Sequence, residues 1–166
     1  MFRTMRRIGQ ALTDAENEEI LASCTTGVLS VCGEDGYPYG VPVNYVWSDG
    51  TIIFHGAKVG HKADAIARDD RVSFTVIEQD IQVPEKLTTY YRSVIVFGRA
   101  RMLVDESEIC SAAMKLGLRF NDDAEFVQKE IETFAARLAC FEIIPEHIGG
   151  KQCVEFVKIK KGVSNV

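Results

Sequence analysis

Residues 27–55 read GVLSVCGEDGYPYGVPVNYVWSDGTIIFH. Three runs rich in β-branched and aromatic residues (27–32, 39–47 and 51–55) are separated by EDGYP and SDG. An Asp-Gly pair supplies the positive φ angles of a tight hairpin, so the stretch predicts a three-strand antiparallel meander. Pro42 sits inside the second run. It has no N–H to give to a ladder, so it predicts an edge, a bulge, or a stretch that faces something other than a strand.

Working outward, Thr13 and Glu16 have capping-box spacing ahead of a helix near 14–24, with Ile20 and Leu21 as its apolar edge. The opening MFRTMRRIG reads as an arm or a first strand, and no hydrophobic leader segment follows it. On the other side, HKADAIARDD predicts a short helix near 61–69 and 71–80 a fourth strand, followed by a loop around Pro84 over about 81–89. Residues 91–103 form a long β-branched strand with Gly98 as a bend or bulge. Helices are expected near 106–119, capped by Asp105, and 122–138, capped by Asn121 or Asp122. In the second, Phe126, Ile131 and Phe134 recur near the helical period. A strand at 139–148, a Gly149-Gly150 turn and an alternating strand-like tail at 152–159 complete the chain. Hairpin-joined strands without a repeated βαβ unit predict a mainly β barrel with peripheral helices, a single domain over 1–166.

The composition bounds the function. A formal charge of −5 argues against a broad nucleic-acid surface. No apolar stretch reaches the roughly 20 residues that cross a bilayer. Five cysteines without a CxxC pair suit reduced, mostly buried thiols in a cytoplasmic protein.

The candidate chemistry gathers in FHGAKVGHKADAI (54–66). A strand ends at His55, and His61-Lys62 opens a helix whose small apolar face is Ala63, Ile66 and Ala67. Lys62 in a first helical turn sits against the positive end of the helix dipole, and a bound anion would reverse that penalty. Gly56 and Gly60 allow close backbone approach. The segment thus suits a phosphate, although an exposed lysine in a first turn is also ordinary. A metal is poorly served: His55 and His61 have no further ligands nearby, and His147 could join only through folding. Neither Ser30 nor Ser93 has the context of an activated nucleophile. Arg92 and Ser93, entering the long strand, carry donors that fit a phosphate or an ordinary polar strand entrance. In VPVNY (41–45), the mixture of apolar surface, free backbone around Pro42, and the side chains of Asn44 and Tyr45 suits a flat heteroaromatic ring. It suits a core strand equally.

The ordered segments YPYGVPVNYVW, DGTIIFHGAKVGHKADAI, YRSVIVFGRARML and HIGGK resemble the pyridoxamine-phosphate-oxidase-like FMN-binding split barrels, closest to the 5-nitroimidazole resistance (Nim) branch. The likeness covers about residues 5–155. It implies a six-stranded split β-barrel and a homodimer with FMN at the subunit interface. It places the Val41, Pro42, Val43, Asn44 and Tyr45 strand beside the isoalloxazine ring, and His61 and Lys62 by the phosphate with Ser93 as a further contact. Phe54 and His55 fall at the end of the third strand, with His55 the candidate catalytic side chain near the reactive face. The implied activity is an oxidoreductase passing electrons from a nicotinamide or protein donor to a small acceptor, such as the nitro group of a nitroimidazole. The tail has lysines where the biosynthetic pyridoxamine phosphate oxidases have an arginine-containing signature, which argues against vitamin B6 synthesis. Related split barrels bind haem or a deazaflavin instead, or carry a cofactor without turnover.

Overall fold

The computed structural model describes residues 2–160 and residue 162; Met1, Lys161 and 163–166, the outer ends of the arm and tail, lie outside it. At the Asp49-Gly50 turn both residues have positive φ (53° and 77°), the geometry of a two-residue hairpin whose twist matches its strands. It joins β2 (Pro38–Ser48) to β3 (Thr51–Ala57). The Asp35-Gly36 turn joins β1 (Thr26–Cys32) to β2; Gly36 has φ 83°, and Asp35 accepts from the Tyr37 N–H at 3.1 Å. The expected meander is therefore present.

The remaining strands close the sheet on itself. β4 (Arg71–Val83), β5 (Thr88–Met102) and β6 (Leu138–Gln152) complete a barrel in the order β1-β2-β3-β6-β5-β4. Its interior is filled by Leu29, Tyr45, Phe54, Phe74, Val94 and Phe141, each fully buried. Phe54 stacks on Phe141 with ring centroids 5.0 Å apart, and Tyr45 meets Phe74 edge to face. The Tyr45 hydroxyl crosses to α1 and donates to the Leu21 carbonyl at 2.8 Å.

Helices close the outside. α1 (Asp14–Ser23) starts with the complete Thr13/Glu16 capping box. It packs against β6 at Gly150, where a Cβ would come within 2.7 Å of Leu12 and overlap Asn17. The Gly149-Gly150 pair is thus part of β6 and not a turn; its glycine admits α1. α2 (His61–Arg68) buries Ala63, Ala65 and Ile66, whereas Ala67 is exposed. α3 (Glu106–Leu118), α4 (Ala124–Phe134) and the outer faces of β3 and β6 form a second core around Ile53, Leu103, Ala112, Leu116 and Cys140.

Four further expectations need correction. The arm holds a short 3-10 turn at Ile8–Gln10 and no strand. Most of the loop expected at 81–89 is a hairpin extension, with Ile81, Gln82 and Val83 paired to Tyr90, Thr89 and Thr88. Its β-branched residues carry the ladder past the bulge at Glu78, leaving only Pro84–Lys86 and Leu87 to turn. The last bundle helix is capped by Asp123 and ends at Phe134, because Asn121 is occupied in accepting the Asp123 N–H. The tail forms α5 (Val154–Lys160) and not a strand. Cys153, Phe156 and Val157 also have helical spacing, and contacts of Phe156 with Tyr90 and of Lys160 with Glu16 select it. The Lys160 bond and the Thr13 cap hold the Glu16 carboxyl at about 2.

Removing the Tyr45 hydroxyl (Tyr45→Phe) should cost about 1 kcal/mol in urea unfolding, because it leaves the Leu21 carbonyl without that donor. Phe54→Ala should cost about 3–5 kcal/mol through the cavity it opens against Phe141.

Candidate functional site

β2 and β3 do not stay together along their length. They pair from Ser48↔Thr51 to Tyr45↔Phe54, and beyond that point residues 38–44 pair only with β1. The Tyr45 N–H donates to Thr25, so the backbone of Tyr45, Val43 and Val41 faces β1 by the alternation of an antiparallel ladder. Asn44, Pro42 and Gly40 therefore aim their backbone groups at the open side. Pro42 lacks an N–H at a position where no strand needs one. What remains is an edge offering the Asn44 and Gly40 N–H groups and the carbonyls of all three.

Across this opening lie the end of β3 and the start of α2. The Lys62 side chain runs directly over Gly56: a Cβ there would stand 2.6 Å from Lys62 Cε and 2.7 Å from Nζ. Only glycine at 56 lets the half-buried lysine take this path. Gly60, at φ 117°, is the α2 N-cap and supplies no side-chain cap, so first-turn N–H groups remain available beside that ammonium. The backbone donors, the cation and the glycine-lined approach make a set that fits a phosphate.

The other sequence-predicted residues divide. Pro42 and Asn44 are exposed on the outer face, while Val41 and Val43 turn inward onto the barrel core. The Tyr45 and Phe54 side chains are inside the barrel and support the site from behind. The His61 ring stacks on Tyr39 at 4.0 Å, in a cleft shared with Glu34, Asp35 and Asp64. Those carboxylates disfavour an anion at the ring; the His61 backbone N–H stays at the helix start. Ser93 is remote from Lys62 within one chain. Gly56 pairs with Ala139 and Ser93 with Lys151, so most of β6 separates them, on the order of 40 Å of extended chain. Arg92 is taken up by Glu78 (2.8 Å) and Glu16 (3.8 Å) and is not free for a phosphate.

His55 lies next to this opening on the outer face of β3, paired with Cys140. It stands at the wall of an apolar cavity between β3, α3 and α4. Burial against that wall, and secondly the charge of Lys62, lower its pKa from the ordinary histidine value. Its imidazole is accordingly neutral at neutral pH, able to donate one hydrogen bond and accept another. His147 is elsewhere, stacked on Phe2 at 4.9 Å. Among the described residues no three His, Cys, Asp or Glu side chains converge on a metal position, and no helix is long and apolar enough to cross a membrane.

The depressed His55 value fixes a sign. The folded chain binds fewer protons at this site than the unfolded one, so the contribution to stability is present above the unfolded value, about 6.5, and is lost as pH falls through the folded one. An NMR titration should find His55 below 6.5, and Lys62→Ala should move it upward by removing the neighbouring charge.

The chain matches the pyridoxamine 5'-phosphate oxidase family over residues 13–152. No curated protein shows significant sequence similarity to it. Among solved structures, the fold is similar to a candidate 5-nitroimidazole antibiotic resistance protein from Bacteroides thetaiotaomicron, with TM-score 0.70, 17% identity and 86% of each chain covered. It is also similar to the flavocytochrome Anf3 from Azotobacter vinelandii (TM-score 0.69, 20% identity, 91% of this chain and 72% of that one). A third is a FAD-binding protein from Mesorhizobium loti (TM-score 0.61, 24% identity, 87% of this chain and 97% of that one). With the family matched across the whole barrel, this chain belongs to the pyridoxamine 5'-phosphate oxidase family.

Proposed function

We propose that the chain is an FMN-dependent oxidoreductase that passes electrons from a diffusing nicotinamide or a reduced protein to a small acceptor, with nitroaromatic compounds such as nitroimidazoles as the acceptor class. The observation that carries the FMN reading is the parted edge of β2 facing Lys62 over Gly56. The N–H groups of Gly40 and Asn44 and the carbonyls of Gly40, Pro42 and Asn44 match the polar edge of an isoalloxazine. Lys62 and the N–H groups of His61 and Lys62 would hold the phosphate, while Val41, Val43, Tyr45 and Phe54 brace the strands from inside. When bound, the flavin supplies the electron transfer, and the protein supplies position and access. His55, neutral and beside the opening, would orient the acceptor or hold a proton for it at an imidazole nitrogen. The similar structures include a FAD-binding protein and a flavocytochrome. FAD carries phosphate too and would use the same donors at that end.

The same geometry favours a homodimer with the cofactor between subunits. Ser93 can join Lys62 at one phosphate only if it comes from a second copy. It lies on an outward sheet face with Ile77 (60% exposed) and Ile95 (41%), neighbours of the exposed Val28 and Phe97. Apolar side chains clustered in this way on a sheet face call for a cover. Only Cys140 and Cys153 of the five cysteines are buried, with burial pushing Cys140 up to about 11. Cys32 and Cys110 are exposed, against the expectation of mostly buried thiols; unpaired thiols suit the reducing conditions of the cytoplasm.

The protein, loaded with FMN and freed of unbound flavin by gel filtration, should show the two-band visible spectrum of an oxidised flavin; a Soret band would overturn the reading in favour of haem. Lys62→Ala should weaken FMN binding by about 10- to 100-fold in a fluorescence titration, the cost of one charge-assisted contact. Ile95→Glu should convert a dimer to monomers by sedimentation and lose FMN with it, while a monomeric native protein that retains FMN would contradict the shared site.

A further inference from the structure

On the far side of His55, the outer face of β3 and helices α3 and α4 enclose a cavity of about 290 Å³ that the flavin reading does not use. Leu116, Ile131 and Leu138 line it, together with Phe120, Phe126 and Phe134. Those phenylalanines are left 53%, 50% and 45% exposed. Single exposed aromatics are ordinary, but three around one concavity mark a binding surface. The α4 amphipathic pattern explains Val127, which is buried, but not its neighbour Phe126. The cavity is braced at one side, where α3 and α4 approach so closely that a Cβ on Gly117 would overlap Val127.

Only a few polar groups reach this space. His55 lies on the β3 side with an uncharged imidazole, Glu130 lines it from α4, and Asn121 lines it between the helices with its amide oxygen taken up by the Asp123 N–H. Glu130 is outside the surface ion pairs that occupy Glu108, Glu142 and Glu146. Ligand pockets of folded proteins run from about 300 to 1,000 Å³, so this one is at the small end. Its walls come from α3, α4 and the turn between them, with His55 of β3 and Leu138 of β6 at its floor.

We propose that this cavity is a binding site for a small planar aromatic molecule of one or two rings bearing an N–H or a cationic nitrogen. The aliphatic and phenylalanine walls take the ring faces, Glu130 accepts from the nitrogen, and His55 meets the opposite edge. The site stands on its own residues and needs no flavin. That its occupant is the electron acceptor rests on the FMN reading, because His55 is shared between the two.

Indole, titrated into the full-length protein without added flavin and followed by methyl and aromatic NMR, tests the site directly. Saturable shifts are expected at Ala113, Leu116, Val127 and Ile131 and in the His55 ring. Ile131→Trp, which fills the space, should weaken binding at least about tenfold. 1-Methylindole, lacking the N–H, should bind about tenfold more weakly than indole to the native chain, and Glu130→Leu, which removes the acceptor, should remove most of that difference. The proposal is overturned if indole gives no saturable shifts, if they map elsewhere, or if they follow protein concentration and mark self-association. The map on the native chain decides even if Ile131→Trp fails to fold. Because flavin is absent from the titration, a failure here leaves the FMN reading standing, and a loss of that reading leaves this site standing.

Discussion

The arrangement of the site depends on the one backbone hydrogen bond that Pro42 cannot make. β2 and β3 leave the Asp49-Gly50 turn as an ordinary two-strand ladder. Continuing that ladder past Tyr45 would require donors from Asn44, Pro42 and Gly40 in turn, and the middle one has no N–H. The strands part, and residues 38–44 stay with β1 alone. An unpaired edge is usually a hazard of aggregation. Here α2 begins across it, and the barrel still closes because β6 occupies the other side of β3.

Everything near the opening follows from that parting. Gly56, which pairs with β6 but has no β2 partner, accepts the Lys62 side chain across its face. The lysine puts its charge near His55 as well as at the start of α2, and so contributes to keeping that imidazole neutral. The barrel interior is unaffected. Tyr45 and Phe54, the last pair of the ladder, are both fully buried and tie the point of divergence to α1 and to Phe141. A rigid pair at the fork holds the two free arms at a fixed separation, as a binding edge requires.

Much of this was legible in the residues. The Asp35-Gly36 and Asp49-Gly50 turns, the Thr13/Glu16 box and the Gly98 irregularity, where the β5–β6 register shifts, follow local rules and stand in the structure as read. Pro42 announced an edge. What failed is what depends on distant partners. The tail alternates like a strand, yet Tyr90 and Glu16 fold it as a helix, and the hairpin beyond Ile77 outruns the loop drawn around Pro84. Side-chain direction was partly recoverable: with Pro42 facing out, alternation puts Val43 and Tyr45 inward. The stacking of His61 on Tyr39 and the distance from Lys62 to Ser93 were not, since both come from the closure of the barrel. The cavity beside His55 was hidden for a similar reason. Phe126, Ile131 and Phe134 look like the core face of a helix until packing leaves two of them half in water.

The account stands or falls on whether the opening is built for a phosphate-bearing flavin. The most direct measurement compares the affinities of the purified protein for FMN and for riboflavin, which share the ring and differ in the phosphate. If Lys62 and the α2 start hold that phosphate, FMN binds at least about tenfold more tightly. Equal affinities would contradict the phosphate site, and no binding of either would contradict the flavin edge on β2.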